Sequence, residues 1–207
     1  MKDFRRQHQT VDPTGDEVIG FSLWDRQNFV SATTLKLVYF TQVRQAIRDG
    51  NLTIAAQLPN RESFLIRSIR VVPIILPFQN AALTVATEGT ILGVANDLAQ
   101  LYNDGVLQFF ILSKNYGQFP MFMLLPGTGI VANNASLTTI AQASNYIATA
   151  TVGNPDNRAV FSLDVPIPIP EQTGFSVTLE WAAAITLKRG NTDLQIVLDG
   201  RKIRPKQ

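Results

Sequence analysis

The sequence contains no cysteine and a single histidine, His8. Without thiols there is neither a disulfide scaffold nor a thiolate-ligated metal site. With one imidazole, in a polar N-terminal stretch, the parts for a Ser-His-Asp triad, a Cys-His dyad or a histidine-rich metal centre are missing. Charge is scarce too: Asp, Glu, Lys and Arg make up 16% of the 207 residues, against roughly 25% in soluble globular chains. No run of about 18 apolar residues occurs, and the opening MKDFRRQHQTVDPTGDEV has no apolar h-region. Neither a spanning helix nor a signal peptide is therefore expected, and the chain is expected to be made and kept in a cytoplasm unless it leaves inside something larger. Glycine forms no phosphate-binding fingerprint: the GTG of Gly127–Gly129 has neither Walker nor Rossmann spacing.

What replaces charge is Asn, Gln, Ser and Thr, dense in GTGIVANNASLTTIAQASNYIATATVGN (Gly127–Asn154). Such a composition suits β surfaces packed against other protein and favours an assembly subunit over a freely diffusing monomer. The net charge of +2 is unevenly laid out. Nine of the 18 basic residues, Lys2, Arg5, Arg6, Lys188, Arg189, Arg201, Lys202, Arg204 and Lys206, lie near the termini, whereas between Val71 and Leu187 only Lys114 and Arg158 are basic. Basic ends on a charge-poor body are either arms that touch nucleic acid or anionic lipid or solvated tails.

A chain of this length holds one sizeable core. Residues 1–30 read as an N-terminal arm, with a turn at Asp12–Asp16, that lies along a neighbour or folds back onto its own sheet. From residue 31 the pattern is that of a β domain reaching residue 207. Strand signals occur at Thr33–Phe40, in Glu62–Phe78, which is broken at Pro73 and Pro77, and in a hairpin through VLQFFIL and QFPMFMLL with its turn around Asn115 and Gly117. A second hairpin is expected from Phe161–Ile169 and Phe175–Leu187, the latter with Phe175, Val177, Leu179, Trp181, Ala183, Ile185 and Leu187 all at odd positions. A third is expected to turn at Asp199-Gly200, a dipeptide favoured in type I′ turns. Thr41–Asn51 suggests one helical turn, and Thr90–Gly105 reads as the one full helix, over about residues 90–104, with Ile91, Val94, Leu98, Leu101 and Tyr102 as its stripe. The sum is an all-β antiparallel sandwich, jelly roll or barrel with one inserted α-helix.

The stretch VPIPIP is the least strand-like part of a strand. Pro166, Pro168 and Pro170 all delete donors on one side, while Val165, Ile167 and Ile169 keep theirs on the other, so the segment pairs with a single neighbour. It reads as a sheet edge or strand terminus blunted against further pairing, with Val165, Ile167 and Ile169 turned into the core.

For chemistry, Asp97, Asp104, Asp156, Asp164, Glu171 and Glu180 are acids of the charge-poor body on which a carboxylate-only glycosidase would draw; solvated helix residues account equally well for Asp97 and Asp104. Asp12, Asp16 and Glu17 lack the spacing of a calcium loop. Trp24, Trp181, Tyr116 and Tyr146 would stack on sugars if exposed, although Trp181 shares the parity of its strand's apolar residues and reads as core. No catalytic, cofactor-binding or metal-binding residue is assigned, and no enzymatic activity, cofactor or small-molecule substrate is expected.

Three stretches, SATTLKLVYF (Ser31–Phe40), LTIAAQLPNRESFLIRSIRVV (Leu52–Val72) and the closing IPEQTGFSVTLEW…LQIVLDGRKIRP (Ile169–Pro205), resemble in pattern and order the jelly-roll capsid proteins of tailless icosahedral bacteriophages, including membrane-containing ones. They cover about a third of the chain and hold no diagnostic motif. Many capsid proteins of membrane-containing phages have two jelly rolls, and this chain has room for one. The resemblance implies a single jelly roll over 31–207 behind an extended arm, in a self-assembling virion subunit, the major capsid protein first and a minor vertex protein or spike base next. Its expected partners are other copies of itself and other virion proteins, with the basic termini reaching an internal membrane or the genome. A carbohydrate-binding β-sandwich module of a receptor-binding fibre is the alternative from another class.

Overall fold

The computed structural model describes residues 10–11, 16–74, 97–126, 130–134, 148–152, 161–187 and 190–205. Over these the chain forms strands β1 (Thr10–Val11), β2 (Glu17–Phe29), β3 (Lys36–Tyr39), β4 (Ser63–Ile74), β5 (Gly105–Ile111), β6 (Lys114–Pro120), β7 (Ile130–Asn134), β8 (Ala148–Val152), β9 (Ser162–Ile169), β10 (Phe175–Trp181) and β11 (Thr192–Arg204). A helix, α1, occupies 97–104, and Met121–Leu124 is a 3-10 turn. One sheet has the order β1-β2-β11-β4-β9 and the other β3-β10-β5-β6, while among the described residues β7 and β8 pair only with each other. Every pairing is antiparallel. The architecture is the all-β sandwich with one helix that the alternation implies; residues 90–96 of the expected helix lie outside the described residues.

Period-two patterning builds the core. Phe175, Val177, Leu179 and Trp181 of β10 and Leu107, Phe109 and Ile111 of β5 turn inward from one sheet. Phe64, Ile66, Ile69 and Val71 of β4 and Leu194, Ile196 and Leu198 of β11 are buried from the other. Each such side chain contributes roughly 1.5–3 kcal/mol by leaving water. Aromatic edges close the gap between the layers: Phe29 meets Trp181 edge-on at 4.9 Å, and Phe119 meets Phe161 at 5.4 Å. Helix α1 ties into both sheets at one end of the sandwich. Its Leu101 carbonyl accepts the Trp181 indole N–H at 3.0 Å, and the Tyr102 hydroxyl donates to the Val71 carbonyl at 2.7 Å.

The structure corrects several expectations. Glu17–Phe29 is not part of an arm: β2 pairs with β11 along its whole length, from Thr192↔Phe29 to Arg204↔Glu17, because Leu23 and Phe29 have a core to fill. Of the two courses open to residues 1–30, the chain folds back onto its own sheet, and the boundary at residue 30 falls at the end of a strand inside that sheet. Residues 1–9 lie outside the described residues.

Phe161–Ile169 and Phe175–Leu187 are not a hairpin. β9 joins β4 in one sheet and β10 lies between β3 and β5 in the other, so residues 170–174 cross between layers, held by Gln172 N–H to the Leu58 carbonyl and Phe175 N–H to the Ala56 carbonyl. β10 ends at Trp181, short of Leu187. The β5–β6 hairpin turns before Asn115: Ile111 stands opposite Lys114, leaving Leu112 and Ser113 as the loop, with Leu112 at φ 55°. After Pro120 the chain leaves the sheet as the 3-10 turn, which buries Met121 and Leu124 and exposes Phe122 and Met123. Within Thr41–Asn51 the expected single helical turn falls at 46–50, where the Ala46 carbonyl accepts the Asp49 N–H at 2.9 Å and the Gly50 N–H at 3.3 Å, and the rest of the segment is bends and turns.

The prolines stand where their parity places them, at a sheet edge, since β9 is the outermost strand of its sheet. Ile169, Pro168 and Ile167 face Phe64, Leu65 and Ile66, after which the register slips to Ser162↔Ser68. Ile167 and Ile169 are buried as expected. Val165 is not: it is 79% exposed, because it falls in the slipped stretch outside the ladder.

Asp199-Gly200 is not a turn either. β11 runs through it from Thr192 to Arg204, and Gly200 sits where the register with β4 shifts. A Cβ at Gly200 would meet the Leu65 carbonyl oxygen at 2.0 Å, so close approach of the β4 backbone, not a left-handed φ, demands glycine. Gly200→Ala is therefore expected to cost on the order of 1–3 kcal/mol in urea unfolding, and Gly200→Asn at least as much. Asparagine suits a type I′ turn, so a well-tolerated Gly200→Asn would contradict the strand assignment.

Candidate interaction surfaces

The residues singled out for chemistry do not converge. His8, Asp12, Tyr146, Asp156 and Gly127–Gly129 lie outside the described residues. Asp97 is buried within α1 and Asp104 is exposed near its end, so the two do not share an environment. Asp164, Glu171 and Glu180 are exposed on β9, on the crossing loop and on β10. An open cleft of about 400 Å³ gathers Asp16, Arg61, Glu62 and Glu171, but its acids are engaged: Glu62 pairs with Lys202 at 2.6 Å and Glu171 accepts the Arg61 backbone N–H. Among the described residues no group of three His, Cys, Asp or Glu side chains is placed to hold a metal, and no helix is long and apolar enough to cross a membrane. Trp181 is core, and the half-buried Trp24 is tethered by its indole N–H to the Ile47 carbonyl at 2.9 Å. Tyr116 is 42% exposed beneath the Lys114 ammonium.

On the outer face of the five-stranded sheet much of the charge is paired internally, while Arg67 of β4 stays exposed. Asp199 accepts from Ser22 at 2.5 Å, from Arg70 at 2.7 and 3.0 Å and from Ser68 at 3.4 Å. Asp193 takes Arg26 and Asn28. In the C-terminal run, Lys202 pairs with Glu62 and Arg204 with Glu17, which leaves Arg201 as its exposed cation among the described residues.

The sheet edges carry the most specific geometry, because each edge strand presents N–H and C=O groups that a neighbouring molecule could complete. The free side of β2 is covered by β1 and by residues 49–51. Arg26 N–H donates to the Asp49 carbonyl at 2.7 Å, and Asn51 N–H donates to the Trp24 carbonyl at 3.2 Å. The Asn51 side chain accepts the Trp24 N–H at 2.9 Å and donates to the Ser22 carbonyl at 2.8 Å. β9 is blunted by its prolines. β6 begins at exposed Lys114, is bulged at Tyr116 where the register shifts, and ends at Pro120, three devices that oppose strand addition.

Side chains from the opposite layer finish β3. Gln27 of β2 donates to the Val38 carbonyl at 2.7 Å, and the Asp25 carboxylate accepts the Phe40 N–H at 2.6 Å. The other Asp25 oxygen takes Arg44 Nε at 2.6 Å, and the carboxylate is 2% exposed. One buried acid thus joins β2, the end of β3 and the 40–62 connection. The neighbouring Tyr39 hydroxyl donates to the Leu194 carbonyl at 3.2 Å; burial first, and the Asp25 charge second, hold its pKa well above the usual tyrosine value. Burial likewise raises that of Tyr102. Both are structural hydroxyls that stay protonated.

Sequence reasoning missed Asp25, Gln27 and Arg44. The signal was present: Asp25 and Gln27 share the parity of Leu23 and Phe29, so two polar groups point where the strand is otherwise apolar, but only after Glu17–Phe29 is recognised as a strand.

Comparison with known protein families, with curated proteins and with solved structures finds no match for this chain.

Removing the Asp25 carboxylate strands the Arg44 guanidinium and a buried N–H, so Asp25→Ala is expected to cost about 3 kcal/mol in urea unfolding. Asp25→Asn keeps an acceptor for Phe40 and should cost less. A loss for Asp25→Ala no larger than the roughly 0–1 kcal/mol of a surface pair would show that the carboxylate does not hold the sheets together.

Proposed function

We propose that this chain is a virion structural protein: a single jelly roll that self-assembles as a capsid subunit, the major shell protein of a tailless icosahedral phage in the first instance, and without catalytic activity. The observation that carries the reading is the strand order. Counted along the chain, β2, β3, β4, β5, β6, β9, β10 and β11 are first to eighth. First pairs with eighth, second with seventh, third with sixth and fourth with fifth. This pairing supports one long double-stranded ribbon wound into two sheets, as expected of a jelly roll, a fold that recurs in viral shells and in lectins.

Three features favour a shell subunit over the lectin-like alternative. The cleft is lined by engaged acids and holds none of the aromatic side chains on which a sugar would stack. Trp181 is buried and Trp24 is tethered. The charge-poor body and the pairing of many charges on the outer face lower the desolvation cost of packing copies together. Reach-over contacts then fall to residues ahead of β1, since Thr10–Val11 and Glu17–Phe29 are used within their own sheet. Contact with lipid or genome falls to Arg201 and to the basic residues outside the described part.

Light scattering across protein concentration and salt tests this. Mass is expected to rise with concentration to capsomers or particles and to persist at about 1 M salt, where the Debye length is about 3 Å and assembly built on charge pairs or nucleic acid would dissolve. A chain that stays monomeric throughout and binds glycans would be the carbohydrate-binding module instead.

A further inference from the structure

We propose that copies of this chain bind one another through the β7–β8 ribbon, edge to edge across a two-fold axis, so that two ribbons form one four-stranded sheet. The inference rests on the reading of the chain as a self-assembling subunit and names the element that does the assembling.

The sandwich offers a neighbour little ladder to complete: the free side of β2 is covered, β3 is finished by Gln27 and Asp25, and β6 and β9 carry proline and a bulge or register slip. The ribbon is different. It pairs from Ile130↔Val152 to Asn134↔Ala148 and belongs to neither sheet. Its residues, IVANN and ATATV, include no proline, lysine or other charge, so among the described residues neither edge strand carries a proline or a charge that keeps strands apart. A lone two-stranded ribbon is marginal in water, and three or more strands are needed for independent stability; a second ribbon supplies them.

The occupant follows from charge. From Asn115 to Pro155 the sequence has no Asp, Glu, Lys, Arg or His. Nucleic acid or an anionic membrane finds no cation to hold there. A second copy meets no like charge, and an isologous contact, the same patch on both partners, is the closed two-fold solution for identical chains. The cores of such interfaces are depleted of charge in just this way.

The test uses two full-length variants, Val131→Lys with Thr151→Glu, and the reverse, Val131→Glu with Thr151→Lys. Residues 131 and 151 are register partners, so each variant places opposite charges across its own ribbon, which leaves the ribbon intact. Between identical copies each variant sets Lys against Lys or Glu against Glu across the shared edge. At low salt, each variant alone is expected to dissociate at least about tenfold more readily than the parent chain in sedimentation velocity, a difference of about 1.4 kcal/mol. An equimolar mixture is expected to recover association, because unlike charges then face each other. Variants that associate like the parent chain would overturn the ribbon contact while leaving the subunit reading intact. Loss without recovery in the mixture would overturn the edge-to-edge pairing. A parent chain that is monomeric at every concentration would overturn both readings.

Discussion

A β-sandwich can bury its side chains between its layers, but it cannot bury the backbone groups along its outermost strands. How this chain disposes of those groups is the constraint on which the rest of its structure depends. Core burial supplies most of the driving force, through inward rows such as Phe175-Val177-Leu179-Trp181. That force is non-directional and does not decide which molecule a free edge pairs with. The edges are settled one at a time and by different chemistry: prolines on β9, a bulge and Pro120 on β6, backbone and Asn51 on β2, and a buried carboxylate with Gln27 on β3.

Asp25 shows how tightly the two tasks are coupled. Its carboxylate caps β3, yet it belongs to β2 in the other sheet, and it holds Arg44 in the connection that returns to β4. A buried acid is an expensive way to close an edge. What it adds over proline is specificity, since a single side chain fixes the spacing of both layers and the course of the 40–62 segment. Gly50 belongs to the same arrangement: a Cβ there would meet Arg44 Cγ at 2.7 Å, so the segment that covers β2 depends on a residue with no side chain.

Much of the sandwich was legible in the sequence, because alternation in Phe175–Trp181 and Gly105–Ile111 and the stripe of Leu98, Leu101 and Tyr102 are local patterns that local physics reads. What was not legible was long-range. Asp199-Gly200 has the composition of a turn and the environment of a crowded strand, and only the passage of the β4 backbone beside it tells them apart. Phe161–Leu187 looks like a hairpin because its halves are adjacent in sequence, whereas their partners, β4, β3 and β5, are far away along the chain. The proline edge was readable, since proline acts on its own backbone. Val165 was misplaced because a register slip is a property of two strands together. The edge-capping role of Asp25 and Gln27 was hidden by the assignment of their strand to an arm.

If closed edges leave the β7–β8 ribbon as the open one among the described residues, association must protect that ribbon and little else of the ladder. Amide hydrogen exchange, read by mass spectrometry below and above the concentration at which copies associate, tests this directly, because exchange reports the pairing state of each backbone segment. The account predicts added protection at Ile130–Asn134 and Ala148–Val152, with Lys114–Pro120 and Ser162–Ile169 unchanged. Protection gained along β6 or β9, with none in the ribbon, would contradict it.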